Sequence, residues 1–301
     1  MNQIPVIIDC DPGADDALGI LLALNCPQLK VLGITTVCGN GPAAQMAKNA
    51  ARICALAGRS DIQIYQGAEQ PLARSLAFSP LYCGNDGLCD TGLTEHMELI
   101  AEKTAQEFLL ETLAGSQKAV TVIATAGFTN LAAAILKNPA VTGGIREIVA
   151  ASGYFGLNPE PNRAEWNILV DPEAADVVYH SGVPVRAVGL DVSAGLKDSF
   201  AEQLLAEGSG SVHDFLLQCT RYNRQAGLAA YSLLVDAMAV AVVIEPALAE
   251  YVTGEASIDP ARRDGSLMEF FPNKEGMIRA AVRFDFQSYL RQLRGLIDKG
   301  D

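Results

Sequence analysis

Short apolar runs rich in β-branched residues alternate with amphipathic stretches through the first two thirds of the chain. Such runs are typical of buried strands, and they predict strands over residues 6–8, 31–37, 62–65, 120–124, 145–150 and 185–188. The stretches between them carry helical periodicity and predict helices over residues 15–24, 43–57, 100–114, 129–136 and 172–181. This alternation favours a parallel sheet with right-handed crossovers and helices on both faces.

The pattern changes after residue 190, where helical periodicity predicts further helices over residues 199–207, 212–226 and 233–244. Residues 252–286 predict short antiparallel strands with turns at 264–265 and 273–276, and an amphipathic helix is predicted over 286–297. No glycine- or serine-rich linker separates the two parts. We therefore predict a single α/β domain over residues 1–301, with an open, mostly parallel sheet, C-terminal helices and a small antiparallel β extension.

Composition narrows the classes of partner. Half of the 301 residues are hydrophobic and 19% are charged, which is enough apolar material for a large core. With 35 acidic against 22 basic residues the net charge is −13, which disfavours nucleic acid and acidic membranes and favours a neutral ligand or a cation. No apolar run approaches the roughly 18 residues of a membrane-spanning helix. The N-terminus lacks a basic stretch ahead of an apolar core, so we expect a cytoplasmic protein.

The seven cysteines are odd in number and lack close paired spacing. We therefore expect reduced thiols and no zinc site.

An acidic cluster follows the first predicted strand. Asp9, Asp11, Asp15 and Asp16 place four carboxylates within eight residues, around the tight turn that Pro12-Gly13 favours. Like charges this close repel one another, so a hard divalent cation with oxygen ligands is the natural partner. Capping of a helix N-terminus would account for Asp15 and Asp16, but not for the other two aspartates.

The segment DCDPGADDA (residues 9–17) resembles the N-terminal signature of the inosine-uridine preferring nucleoside hydrolase family. Further similar segments follow in the same order over nearly the whole chain: TVCGN (36–40), TAGFTN (125–130), AEWNI (164–168), VDPEAA (170–175), GLDV (189–192) and DAMAVA (236–241). The resemblance implies a nucleoside hydrolase-like fold.

The resemblance also implies a bound calcium ion. Its protein ligands would be Asp11, Asp16, Asp236 and the backbone carbonyl of Thr125, with a water and two ribose hydroxyls completing the shell. All of these are oxygen donors, as calcium requires. Asp15 would be the general base that deprotonates the water held by the metal. Taken alone, Asp236 is better explained as a helix N-cap, and the acidic cluster shifts the preference to a metal ligand.

The ribose contacts implied by the resemblance come from three parts of the chain. Asn40, Glu165 and Asn167 would hold the hydroxyls, together with one further asparagine, either Asn158 or Asn162. Glu165 and Asn167 would project to the same side if their segment is extended.

Three positions depart from the family pattern, and all concern the leaving base. The histidine that often precedes the last metal-binding aspartate is replaced by Val235, and the histidine of the loop after the third strand has Cys83 as its nearest equivalent. The usual Met-Gly-Gly after the fifth strand is Ala-Ser-Gly at residues 151–153. Tyr222, Tyr231 and Cys83 are the candidate leaving-group donors by elimination.

The function that these features favour is calcium-dependent hydrolysis of the N-glycosidic bond of ribonucleosides to ribose and free base, as in purine or pyrimidine salvage. The expected partners are a small nucleoside and further copies of the chain in a homodimer or homotetramer, with no nucleic acid and no membrane. One alternative is a magnesium phosphohydrolase with Asp9 as nucleophile and Asp11 as acid, which would need a phosphate-binding lysine. Another is a calcium-dependent ribose- or nucleoside-binding protein with little turnover.

Overall fold

The computed structural model describes residues 3–78, 83–160, 165–262 and 267–297. Within these residues nine strands form one sheet: β1 (Ile4–Cys10), β2 (Leu29–Thr36), β3 (Ile64–Gln66), β4 (Val120–Ala124), β5 (Ile145–Ala150), β6 (Val185–Ala187), β7 (Ala249–Ile258), β8 (Met268–Pro272) and β9 (Ile278–Phe284). Their order across the sheet is β3-β2-β1-β4-β5-β6-β9-β7-β8. The pairs from β3 to β9 are parallel, and β7 is antiparallel to both β9 and β8.

Eleven α-helices accompany the sheet in the described part of the chain: α1 (Ala14–Asn25), α2 (Ala43–Leu56), α3 (Ala105–Ala114), α4 (Thr129–Lys137), α5 (Trp166–Val170), α6 (Pro172–Tyr179), α7 (Leu190–Ser193), α8 (Asp198–Leu205), α9 (Ser211–Gln225), α10 (Ala237–Ile244) and α11 (Phe286–Ile297). The fold is therefore the mostly parallel α/β sheet with C-terminal helices and an antiparallel extension that the sequence pattern predicts.

Helices cover both faces of the sheet, because alternate residues of each central strand point to opposite sides. Val6 and Ile8 of β1 belong to one apolar cluster with α1, α2, α10 and α11, whereas Ile7 belongs to another with α3, α4 and α6. Helix α1 packs against the start of α10 at Gly19, where a Cβ would make an ordinary contact 3.5 Å from the Cα of Ala237. This contact brings the N-terminus of α10 beside the N-terminus of α1.

Two predicted helices are shorter than expected. Helix α3 begins at Ala105 and not at residue 100, because Thr104 and Glu107 form a capping box. The Thr104 hydroxyl accepts from the backbone N–H of Glu107, and the Glu107 carboxylate accepts from the backbone N–H of Thr104. The helix predicted over 233–244 is split into a 3₁₀ segment (Ala230–Leu234) and α10, with Val235 and Asp236 between them.

The expectation of reduced cysteines is wrong at one pair. Cys83 and Cys89 form a disulfide, with their Cα atoms 4.7 Å apart. The intervening loop folds back on itself with Gly84 and Gly87 at positive φ, a conformation that glycine adopts without strain. A spacing of six residues gives no hint of this reversal, so the sequence did not reveal the bond.

No helix in the described ranges is both long enough and apolar enough to cross a membrane. The turn predicted at residues 264–265 lies outside the described residues.

Candidate active site

One cavity lies where the chain changes direction across the sheet. From β1 the chain builds outward through β2 and β3 on one side and from β4 onward on the other. Ligands of open α/β sheets bind at such a switch point, beyond the carboxyl ends of the strands. This cavity has a volume of about 430 Å³ and is lined by residues that follow β1, β2, β4 and β5. Further lining residues come from the connections before α5 and α10 and from α5 and α7.

The acidic turn between β1 and α1 is held against the end of β2. The backbone N–H of Asn40 donates to Asp11 Oδ2 at 2.5 Å, and Asn40 Nδ2 donates to the Asp11 carbonyl at 3.0 Å. Gly39 is required here, because a Cβ would lie only 2.2 Å from Asp11 Oδ2. Asn40 and Asp11 both line the cavity.

Three carboxylates meet beside this turn. Oxygen atoms of Asp15, Asp16 and Asp236 all lie within 4.8 Å of one another. Asp16 is fixed on both oxygens, since it accepts from Thr125 Oγ1 at 2.6 Å and from the Gly13 N–H at 3.3 Å. Asp236 occupies the N-cap position of α10, yet its side chain makes no capping hydrogen bond. Capping therefore does not account for Asp236.

We call Asp11, Asp15, Asp16 and Asp236 the carboxylate cluster. Burial raises the pKa of Asp11, Asp16 and Asp236 well above the ordinary aspartate value, and the neighbouring aspartates raise these pKa values further. Burial also raises the pKa of Asp15. No lysine, arginine or histidine is among the described residues that line the cavity.

The cluster thus combines buried oxygen donors with strong mutual repulsion and no cationic side chain. A divalent cation would relieve that repulsion, and oxygen ligands suit a hard cation such as Ca²⁺ or Mg²⁺. The residues present therefore fit a metal ion.

Thr125 is adjacent to the cluster because the register pairs Ala124 of β4 with Asp9 of β1, and its hydroxyl contacts Asp16. Its carbonyl accepts from α5. Asn167 Nδ2 donates to this carbonyl at 3.0 Å and to the Ala151 carbonyl at 2.8 Å. One buried amide therefore links the ends of β4 and β5 to α5. The Thr125 carbonyl retains a second lone pair for another partner.

Glu165 and Asn167 both line the cavity, but their segment is not extended. Glu165 is the N-cap of α5, and its carboxylate accepts from the N–H groups of Asn167, Ile168 and Gly153 at 2.9–3.0 Å. Burial raises its pKa. The condition under which the two side chains would alternate to one side is therefore not met, because this cap starts a short helix at residue 166.

A second set of lining residues carries little hydrogen-bonding chemistry. We call Trp166, Leu190, Ala194, Tyr231 and Val235 the apolar lining. They come from α5, α7 and the connection before α10. Sequence reasoning did not single out Trp166 or Leu190, although Trp166 stands between two predicted ribose contacts.

Comparison with known proteins identifies the group to which this architecture belongs. The inosine-uridine preferring nucleoside hydrolase family matches the chain over residues 6–290. The chain belongs to this family.

Individual nucleoside hydrolases agree with the assignment. The pyrimidine-specific ribonucleoside hydrolase RihA of Escherichia coli O81 (strain ED1a) is 40% identical over 190 residues, 63% of this chain and 61% of that protein. The match thus spans less than two thirds of this curated relative. A plant nucleoside hydrolase, PpNRh1, superposes with a TM-score of 0.86 at 27% identity, covering 98% of this chain and 99% of that one. A purine-preferring ribonucleoside hydrolase from Gardnerella vaginalis has a TM-score of 0.86 at 26% identity, covering 98% of each chain.

Some predicted site residues lie away from the cavity. The side-chain amide of Asn158 donates to the carbonyls of Asp191 and Val282 at 2.7 and 2.9 Å, and Asn158 does not line the cavity. Asn162 lies outside the described residues.

Among the candidate leaving-group donors, only Tyr231 lines the cavity within the described residues. Cys83 has no thiol proton to give, because it is bonded to Cys89. Tyr222 packs against the core instead.

Asp9 is buried beneath the acidic turn and does not line the cavity. Its Oδ1 accepts from Thr35 Oγ1 at 2.6 Å and from Asn130 Nδ2 at 2.8 Å. Burial raises the pKa of Asp9 to about 6.

Proposed function

We propose that this protein hydrolyses the N-glycosidic bond of ribonucleosides, giving ribose and a free base, with Ca²⁺ as its metal. The observation that carries the proposal is the cavity itself. Three members of the carboxylate cluster, Asp11, Asp15 and Asp236, line it together with Asn40, Glu165 and Asn167, and Asp16 lies beside Asp15 and Asp236. Family membership and the two structural relatives above support the same reaction. The compared proteins are named for different bases, one for pyrimidines and one for purines. The proposal therefore specifies the ribose and the bond that is cleaved, and it names no preferred base.

Asp11, Asp16, Asp236 and the Thr125 carbonyl are proposed to hold the metal. When bound, the cation would supply charge to acidify a water and to fix two ribose hydroxyls. Asp16 is already oriented by Thr125 Oγ1, and Asp11 by the N–H of Asn40. Hydrogen-bonded carboxylates of this kind lose little freedom when they take up a ligand.

Asp15 is proposed as the general base. It follows the tight turn and is half-buried, so one oxygen can face solvent in the cavity while Oδ1 accepts from the Asp16 N–H at 3.1 Å. The Asp15 carboxylate takes a proton from the attacking water as the water oxygen bonds to C1′. The C1′–N bond breaks with its electron pair leaving on the base, in the manner of an inverting glycosidase.

Asn40, Glu165 and Asn167 are proposed to position the ribose. The Glu165 carboxylate already accepts three backbone N–H bonds, so its orientation is fixed before a substrate arrives. A rigid acceptor that holds a hydroxyl lowers the entropic part of the barrier. The resemblance implies one further asparagine. Asn158 does not take this role in the structure, because its amide donates to the carbonyls of Asp191 and Val282.

The two alternatives make different demands. A phosphohydrolase with Asp9 as nucleophile needs that carboxylate in the cavity, whereas Asp9 lies outside it with Oδ1 engaged by Thr35 and Asn130. A binding protein without turnover needs no general base, and the position of Asp15 beside the other carboxylates favours an enzyme.

The test is a hydrolysis panel of purine, pyrimidine and p-nitrophenyl ribosides, assayed after chelation and after Ca²⁺ or Mg²⁺ is restored. We expect ribose release that depends on Ca²⁺. Binding of the same ribosides without any release would favour the binding protein, and release of phosphate from phosphate esters would favour the phosphohydrolase.

A further inference from the structure

We propose that Asn49 is a positioning residue for the acidic turn, although it does not line the cavity. Asn49 lies on α2, is 0% exposed, and reaches across to the turn from behind. The inference rests on the proposed function, because it assigns Asn49 the task of aiming Asp11 and Asp15.

The contacts of Asn49 are complete and directional. Asn49 Nδ2 donates to the Pro12 carbonyl at 2.9 Å and to the Asp86 carbonyl at 2.7 Å. Asn49 Oδ1 accepts from Gln45 Nε2 at 2.9 Å and from Arg52 at 3.4 Å. The donors on the Oδ1 side fix the amide so that its NH₂ group faces the turn.

Pro12 stands between two residues with proposed roles, Asp11 before it and Asp15 three residues later. The Asp11 carbonyl is held by Asn40 Nδ2 and the Gly13 carbonyl by the N–H of Ala17. Between them, the Pro12 carbonyl is held by Asn49. Asn40 and Asn49 thus fasten consecutive carbonyls of the turn to the end of β2 and to α2.

The other partner of Asn49 belongs to the disulfide-closed loop of residues 83–89. Asp86 Oδ1 accepts from the N–H of Leu88, and Asp86 Oδ2 is paired with Arg52 at 3.1 Å. Because this loop is cross-linked and salt-bridged, Asn49 is attached to a rigid support rather than to a free surface loop.

Loss of the Asn49 donors leaves the buried Pro12 carbonyl without its partner and releases one side of the turn. Residues that orient metal ligands from behind typically change metal affinity or activity by about 10- to 100-fold when they are altered. A small displacement of a general base acts on kcat more than on KM, because it is felt at the transition state.

The experiment compares Asn49→Leu and Asn49→Asp with two controls. Both variants remove the donor at nearly constant size, and Asn49→Asp keeps a polar group that Arg52 can pair with if Asn49→Leu does not fold. Gln45→Leu removes the bond to Asn49 Oδ1 and a 3.5 Å contact to the Asp86 carbonyl, but it leaves Arg52 on Oδ1 and the bond from Asn49 to Pro12. Leu113→Ala, in α3, lowers stability without touching the turn. The readouts are the Ca²⁺ dissociation constant by calorimetry, kcat and KM separately, and amide hydrogen exchange of residues 13–17 in the metal-free protein.

For the Asn49 variants we expect about 10- to 100-fold weaker Ca²⁺ binding, a lower kcat with KM nearly unchanged, and faster exchange in residues 13–17. Both controls should match the unaltered protein in these readouts. Exchange and Ca²⁺ affinity in Asn49→Asp equal to those of Gln45→Leu would overturn the inference. An unaltered protein that neither binds Ca²⁺ nor releases ribose would contradict the proposed function instead, while the exchange data would still test the role of Asn49.

Discussion

The carboxylate cluster and the apolar lining share one cavity but are built in different ways. Asp11, Asp15 and Asp16 follow β1, whereas Asp236 precedes α10. Hydrogen bonds from Asn40, Thr125 and Gly13, at the ends of β2, β4 and β1, hold Asp11 and Asp16 in place. The apolar lining comes from short helices and a 3₁₀ connection, and the described contacts give it far fewer polar anchors.

Under the proposed function, the carboxylate cluster would perform the reaction and the apolar lining would meet the leaving group. Strand ends in a buried parallel sheet cannot shift without breaking the ladder, so chemistry placed there is fixed by the fold. Connections tolerate substitution, so the same ribose chemistry can be combined with different linings. The comparison therefore predicts large effects on turnover in the cluster and selective, smaller effects in the lining.

The largest effect is expected from Asp15→Asn. Loss of the general base should lower kcat by about 10²- to 10⁴-fold, while Ca²⁺ and ribose binding stay close to those of the unaltered protein. Steady-state kinetics and calorimetry measure the two effects separately. Asp214→Asn, at an exposed carboxylate on α9, serves as the control for loss of one charge. A near-normal kcat in Asp15→Asn would show that Asp15 is not the base.

Next in size are Asp236→Asn and Asp11→Asn, which remove proposed metal ligands. We expect Ca²⁺ affinity and activity to fall together. The loss should be at least the roughly 10- to 100-fold that is typical when a residue hydrogen-bonded to a metal ligand is substituted. Raising the Ca²⁺ concentration should restore part of the activity in these variants, whereas it should not restore Asp15→Asn. Metal analysis of active protein that finds no calcium would contradict the assignment.

The apolar lining should discriminate between leaving groups. It offers no cationic acid in the described residues, and proton donation to a leaving group is typically worth about 10²- to 10⁴-fold in rate. We therefore expect p-nitrophenyl riboside, whose leaving group needs no proton, to be hydrolysed at least as fast as inosine.

Val235→His should raise inosine turnover more than p-nitrophenyl riboside turnover, because only inosine gains from a proton donor. Val235→Phe controls for the added ring. If the unaltered protein hydrolyses inosine efficiently and Tyr231→Phe does not lower that rate, another group donates the proton.

The smallest effect concerns stability and pH in the metal-free protein. Burial raises the pKa values of Asp11, Asp16 and Asp236, and it raises that of Asp9 to about 6. A raised pKa in the folded state means that these groups favour folding at low pH and that this contribution is lost as pH rises through the folded-state pKa values.

Thermal unfolding in chelator should therefore give a Tm that falls between pH 5.5 and pH 8, by about 2–4 °C for each kcal/mol lost. Ca²⁺ should remove most of this slope by pairing with the ionised cluster, and Asp236→Asn should reduce it without Ca²⁺. A Tm that rises over this range in chelator would contradict the electrostatic account of the cluster.

Much of the fold was predictable because its signals are local. The strands β1 to β6 lie within two residues of their predicted ends, and α11 has its predicted bounds. Continuous apolar runs bounded by turn residues are the mark of buried parallel strands, and they need no information about distant contacts. The acidic turn was equally visible, since four carboxylates around Pro12-Gly13 require an explanation at the level of sequence alone.

Other features depended on partners that are far away in the chain. Glu165 starts a helix because its carboxylate accepts from nearby N–H groups and from Gly153, and Asn158 is held by carbonyls of Asp191 and Val282. Cys83 and Cys89 are joined because their loop reverses direction.

The sequence by itself determined which elements form and that the turn after β1 is acidic, because hydrophobic periodicity, turn chemistry and charge density are local properties. Only the tertiary structure decided how closely Asp236, more than 200 residues away, approaches Asp15 and Asp16, because that distance depends on the packing of α10 against α1. It likewise decided that Asn49 faces Pro12 and that Asp9 faces Asn130. Side-chain pairing across the carboxyl ends of neighbouring strands is fixed by sheet order and register, which a single sequence does not encode in any local pattern.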